Sequence, residues 1–130
     1  MSSGTFKIEW LPGGVLLQTR AGLFSVEQAE QYVAAVDRAM ASAPSPWGAV
    51  VDARGAPAQT EQVQAIIQRL IKLVEAKRAR RIAIVVTSAI TRIQQQRITT
   101  EPGMHDPSKV SFHRDLDEAV AQVRAALAAP

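Results

Sequence analysis

Residues 81–87 read RIAIVVT, and between Arg81 and Thr87 every side chain is apolar and most are β-branched. A run this short and this uniformly apolar is a strand covered on both faces, so the chain must lay helices above and below it. Residues 47–55, WGAVVDARG, have the same character as far as Val51 and then turn to charge and glycine. Between the two runs, Val63, Ile66, Ile67, Leu70, Ile71 and Val74 recur at helical spacing. Strand, helix and strand in this order pair in parallel through a right-handed crossover. The two strands then release their loops on one rim, where ligand and partner sites gather in open α/β sheets.

The remaining segments extend that unit. Phe6, Ile8 and Trp10 alternate with Lys7 and Glu9, Leu11-Pro12-Gly13-Gly14 is a turn, and Val15 to Thr19 return, so residues 5–20 form a hairpin. Ser25 with Gln28 is a capping box for a helix whose stripe is Ala29, Tyr32, Val33, Val36 and Met40. Thr60 is the N-cap of the helix after WGAVVDARG, with Glu61 in its first turn. Ser88 caps a short helix over residues 89–98, Val110 to His113 is a last strand, and Asp115 with Glu118 is a second capping box. That box opens a helix on Leu116, Ala119, Val120, Val123 and Leu127. The order β-β-α-β-α-β-α-β-α gives an α/β fold: one domain over residues 1–130, a small mixed, mostly parallel sheet of four to five strands, flanking helices, and the first strand antiparallel at an edge.

Composition removes several function classes. There is no cysteine, so disulfides, thiolate metal sites and cysteine nucleophiles are excluded, and a reducing, cytoplasmic setting fits. No stretch reaches the length of a signal sequence or a membrane span. The net charge is +3, and its excess lies between Arg69 and Arg97. That cluster suits either an anionic partner or the closing turn of a helix, where Lys77, Arg78 and Arg80 would meet the negative end of the macrodipole. No aromatic is interleaved with it for base stacking, so nucleic acid is the weaker partner expectation.

The hairpin, the strand VVDARG with its long following helix, the strand RIAIVV and the ending SFHRDLDEAVAQV together resemble the STAS family, the sulfate-transporter and anti-sigma-factor-antagonist domain. The likeness spans roughly residues 5–127 and is closer to a stand-alone bacterial branch, similar to the stage-two sporulation anti-sigma antagonist. It implies a non-enzymatic domain that docks a protein or senses a small ligand. One departure matters. In those antagonists the loop after the central strand carries an Asp-Ser-Ser-Gly-like string whose serine is phosphorylated. The equivalent stretch here is Gln59-Thr60-Glu61-Gln62, without serine or glycine, and Glu61 already carries a negative charge. The resemblance therefore does not carry the phosphoswitch over.

The candidate ligand-binding set follows from the two strand ends. Asp52 and Arg54 share one face of their strand, and Gly55 follows them. Either they line a cleft, with Arg54 gripping an anion, or Asp52 accepts backbone hydrogen bonds and Arg54 is solvated. Ser88, Thr91 and Arg92 stand where the next strand feeds a helix, and could hold a phosphate or carboxylate or merely cap that helix. With Thr60 they make up a surface for a protein partner or a small anionic or apolar ligand. No cofactor is expected. His105 and His113 have no third ligand at metal spacing, and there is no G-x-S-x-G elbow. An enzymatic alternative would need His105 as a base beside Asp52 and Arg54 in one cleft. Phe6, Trp10 and Tyr32 are spaced for packing. The stripe of the helix over 60–77 is broad, and Leu73 falls off it beside Lys72, so the helix either packs wholly on the sheet or offers an edge to a second copy in a homodimer.

Overall fold

The computed structural model describes residues 4–100 and 106–129. Strands β1 (Thr5–Leu11) and β2 (Val15–Ala21) form the expected hairpin. They are followed by α1 (Val26–Met40), β3 (Gly48–Gly55), α2 (Glu61–Ala76), β4 (Ile82–Val85), α3 (Ala89–Thr100), β5 (Val110–His113) and α4 (Leu116–Ala128). The sheet has five strands in the order β1-β2-β3-β4-β5, with β1–β2 antiparallel and every other pair parallel. This is an α/β architecture with the antiparallel strand at one edge.

Alternation along the strands divides the core in two. Leu16, Ala49, Val51, Ile82 and Ile84 face α1 and α2, while Val15, Leu17, Val50, Ala83 and Val85 face α4. β4 is covered on both sides, and its four residues are each 0% exposed, as an unbroken apolar run requires. All six stripe residues of α2 are buried within the chain. The breadth of that stripe is what a helix needs when it is wedged between α1, α3 and the sheet.

Helix ends are closed by identifiable groups. Both halves of the Ser25–Gln28 capping box are present. At α4, Asp115 accepts from Glu118 N, but the Glu118 carboxylate turns to His113 Nδ1 at 3.3 Å, so the expected second box is only half formed. Trp10 Nε1 donates to Ala39 O at 3.2 Å, and Trp47 Nε1 donates to Lys77 O at 2.9 Å. Each indole thus satisfies a carbonyl at a helix C-terminus while its ring fills the core. Beyond α2, Arg78 N donates to Glu75 O at 2.9 Å and Ala79 N to Val74 O at 3.4 Å, with Arg78 at φ 65°. That is a Schellman closure, with arginine in the left-handed position that glycine usually takes.

The basic segment does not close α2 as a block. Arg69 pairs with Glu30 of α1 at 2.6 Å. Arg80 donates to the carbonyls of Ala126, Leu127 and Ala129 at the end of α4. Arg81 reaches Ser108 O at 3.1 Å. The expectation of a cation at a helix terminus holds for Arg80, but the helix it serves is α4.

Gly48 sets the approach of α4 to the sheet. A Cβ there would lie 2.6 Å from Val123 Cγ1 and 3.1 Å from Arg81 O, so only glycine admits the helix at this distance.

Candidate functional site

β3 and β4 are parallel neighbours, with Asp52 opposite Val85. Their exit turns share a rim. One depression, open to solvent, is lined by residues 54–58 together with Ser88, Ile90 and Thr91. A second is lined by residues 86–89 with Arg92 and Arg114. Ser88 belongs to both. Arg54, Gly55, Ser88 and Thr91 of the sequence-derived set therefore meet in one place, and Arg92 adjoins them.

Asp52 and Thr60 stand apart from that lining. Asp52 is a buried residue beneath the rim. It accepts from Arg54 Nε and Nη2 at 2.9 Å each, and from Arg54 N at 3.2 Å. The arginine fork that the sequence reading offered to an external anion is thus turned onto Asp52 of its own strand. The hydrogen bonds from Arg54 hold the Asp52 carboxyl below the usual carboxylate range, against the opposing effect of burial. Asp52 in turn raises the Arg54 guanidinium, with Asp115 and Asp117 at the start of α4 adding to it. Thr60 is the N-cap of α2 and accepts from Val63 N at 3.3 Å. Of the two other hydroxyls, Ser88 accepts from Thr91 N at 3.4 Å, and Thr91 itself is 3% exposed. Arg92 lies 5.7 Å from the Phe112 ring centroid, which fixes the guanidinium over the aromatic face.

α3 is turned in an unexpected way. Thr91 and Gln95 face inward, while Ile90 and Ile93 are 70% and 58% exposed. The rim thus combines the bare Ile90, with Ile93 one turn further along α3, with the guanidinium groups of Arg92 and Arg114, while that of Arg54 is held by Asp52.

Gln59 organises the loop behind the rim. Its side chain accepts from Phe24 N at 2.8 Å and donates to Gly22 O at 3.1 Å and Pro57 O at 2.9 Å. Its backbone N–H donates to Gln94 Oε1 at 2.7 Å, and its carbonyl accepts from Gln64 and Gln94. The loops β2–α1 and β3–α2 and helix α3 are all tied to this one residue. The partners lie far away in sequence, so no local pattern announces them.

Of the two histidines, His105 lies outside the described residues. His113 is the last residue of β5, buried, and lies 2.8 Å from Ser111 Oγ through Nε2. Ser111 donates to Gln122 Oε1 at 2.8 Å, so this network fastens β5 to α4. Among the described residues no group of three or more His, Asp or Glu could hold a metal ion, and no helix is long and apolar enough to cross a membrane.

No family model matches the sequence, and no curated protein matches it. Solved structures do. An uncharacterized protein of the DUF3478 family with a SpoIIAA-like fold, from Shewanella loihica, superposes with a TM-score of 0.66 at 18% identity, over 93% of this chain and 94% of that one. An anti-sigma factor antagonist from Mycobacterium paratuberculosis superposes with a TM-score of 0.67 at 17% identity, again over 93% and 94%. At such identities the likeness is one of fold, and it agrees with the mixed sheet and the helices on its two faces. The chain has a STAS-like fold.

Proposed function

We propose that this chain is a cytoplasmic, non-enzymatic docking domain that receives a protein partner on the rim formed by residues 54–58 and the first turn of α3. The observation that carries this reading is the placement of exposed Ile90, with Ile93 one turn further along the same helix face, near Arg92 and Arg114 around the strand ends. A soluble helix normally turns such isoleucines inward. Kept outside and flanked by cations, they fit a partner segment that is apolar and acidic. The similarity to an anti-sigma factor antagonist supports a protein as occupant.

Regulation differs from a serine phosphoswitch. Thr60 is spent on capping α2, and Glu61 follows it as a fixed charge. Docking is therefore constitutive and governed by the state of the partner.

A photo-crosslinking residue at position 93, compared with one at exposed Ala121 on α4, tests this in the native cell. The expected result is a discrete protein adduct from position 93 alone. The purified partner then binds the wild-type chain, loses at least tenfold in affinity to Ile90→Asp, and binds Thr60→Ala normally. Equal adducts from both positions, or unaltered binding by Ile90→Asp, would overturn the proposal.

A further inference from the structure

Arg20 lies near the end of β2, where the pairing of β2 with β3 slips register between Thr19 and Ala21. It is only 3% exposed. Among the described residues its side chain has no ion pair and no hydrogen bond, and its buried Nε has no acceptor. The contact it does make is with the Tyr32 ring, whose centroid is 5.6 Å from Cζ. Beside it Gln18, 1% exposed, uses its carbonyl oxygen to accept from Tyr32 Oη at 2.5 Å. The Gln18 amide nitrogen makes no hydrogen bond among the described residues. Arg20 and Gln18 line the same small cavity of about 10 Å³, whose other walls include the apolar side chains of Val51, Ile67, Leu70 and Ile84 and the amide of Gln95.

An arginine cannot escape burial by shedding its proton. An uncompensated buried cation is strongly disfavoured, and stacking on Tyr32 offsets only part of the cost. Tyr32 does not supply the missing charge, because burial raises its hydroxyl pKa against the opposing pull of Arg20, and it spends its proton on Gln18. The cavity holds about one small sphere. A carboxylate or phosphate exceeds it, and a divalent anion would bring excess charge among walls that are mostly apolar save for Gln18, Gln95 and Arg20. A water would satisfy donors and leave the charge.

We infer that the cavity between β2, α1, α2 and α3 is an internal site for one halide-sized monoanion, such as chloride, held by the Arg20 guanidinium and the Gln18 amide. The site lies inside the helix-covered core and does not depend on the docking rim.

Two measurements on the full chain test it. In thermal melts at matched ionic strength, replacing gluconate by chloride raises Tm in a saturating manner, and Arg20→Met removes the dependence. In crystals soaked in bromide, an anomalous peak stands at hydrogen-bond distance from the Arg20 guanidinium. The soak uses the wild-type chain, so it decides the matter even if the variant fails to fold. Density without anomalous signal at that position means water, and it overturns the inference, as does the absence of any peak there.

Discussion

Gln59 Oε1 accepts the backbone N–H of Phe24 at 2.8 Å, a bond that joins residues 35 apart and locks the loop before α2 to the loop before α1. The same side chain also donates to Gly22 O and Pro57 O. Replacing it by leucine strands these buried backbone groups. Gln59→Leu should cost about 2–3 kcal/mol, the scale for orphaned buried donors and acceptors. Urea denaturation measures this, and hydrogen exchange should quicken first at Phe24. An unchanged midpoint would show that water replaces the amide without loss.

The Asp52–Arg54 pair gives a pH signature. The hydrogen bonds from Arg54 hold the folded pKa of Asp52 below the ordinary carboxylate value. Its contribution is therefore complete above the unfolded pKa and disappears as pH falls through the lower, folded one. Asp52→Asn should cost about 1–2 kcal/mol at pH 7. The gap to wild type should narrow below pH ~4 as the wild-type carboxyl protonates. Denaturant midpoints at pH 7 and pH 3 check this, and a gap of equal size at both would count against it.

Arg78 occupies a left-handed backbone position at φ 65°. A side chain there costs about 1–2 kcal/mol that glycine does not pay. Its guanidinium is exposed, so little is lost with it. Arg78→Gly should raise stability by about 1 kcal/mol after the greater chain entropy of glycine is set against the relief. A lower Tm in the variant would contradict the Schellman assignment.

Ile84 stands in the central β4 at 0% exposure. Ile84→Asp would place an unpaired carboxylate between helices on one side and strands on both edges. A loss of about 4 kcal/mol or more is expected, enough to abolish a cooperative melt. Circular dichroism with temperature reads it directly.

The strands and helices were legible because their signals are periodic. The apolar run at 82–86 and the stripe at Val63, Ile66, Ile67, Leu70, Ile71 and Val74 depend only on neighbours in the chain, and every one of these side chains is buried. The rim was legible in outline, since parallel pairing of β3 and β4 brings residues 54–55 and 88–92 together. Its chemistry was less so. The Arg54 fork was available to any acid in reach, and Asp52 two residues away on the same strand face took it. Gln18 and Arg20 sit on β2, which is covered on both faces near its middle, so their polarity misleads about their burial. In α3 the isoleucines at 90 and 93 face out while Thr91 and Gln95 face in, which inverts the usual relation of hydropathy to depth.

The left-to-right order of the sheet is the order of the chain itself. No strand has to be inserted between two that have already met. During synthesis each new β-segment can be laid against the free margin left by its predecessor, and the search at every step is short in sequence. Assembly of this kind grows by accretion, and the terminal helix, made last, closes the sheet face that Val15, Leu17, Val50, Ala83 and Val85 leave bare until then.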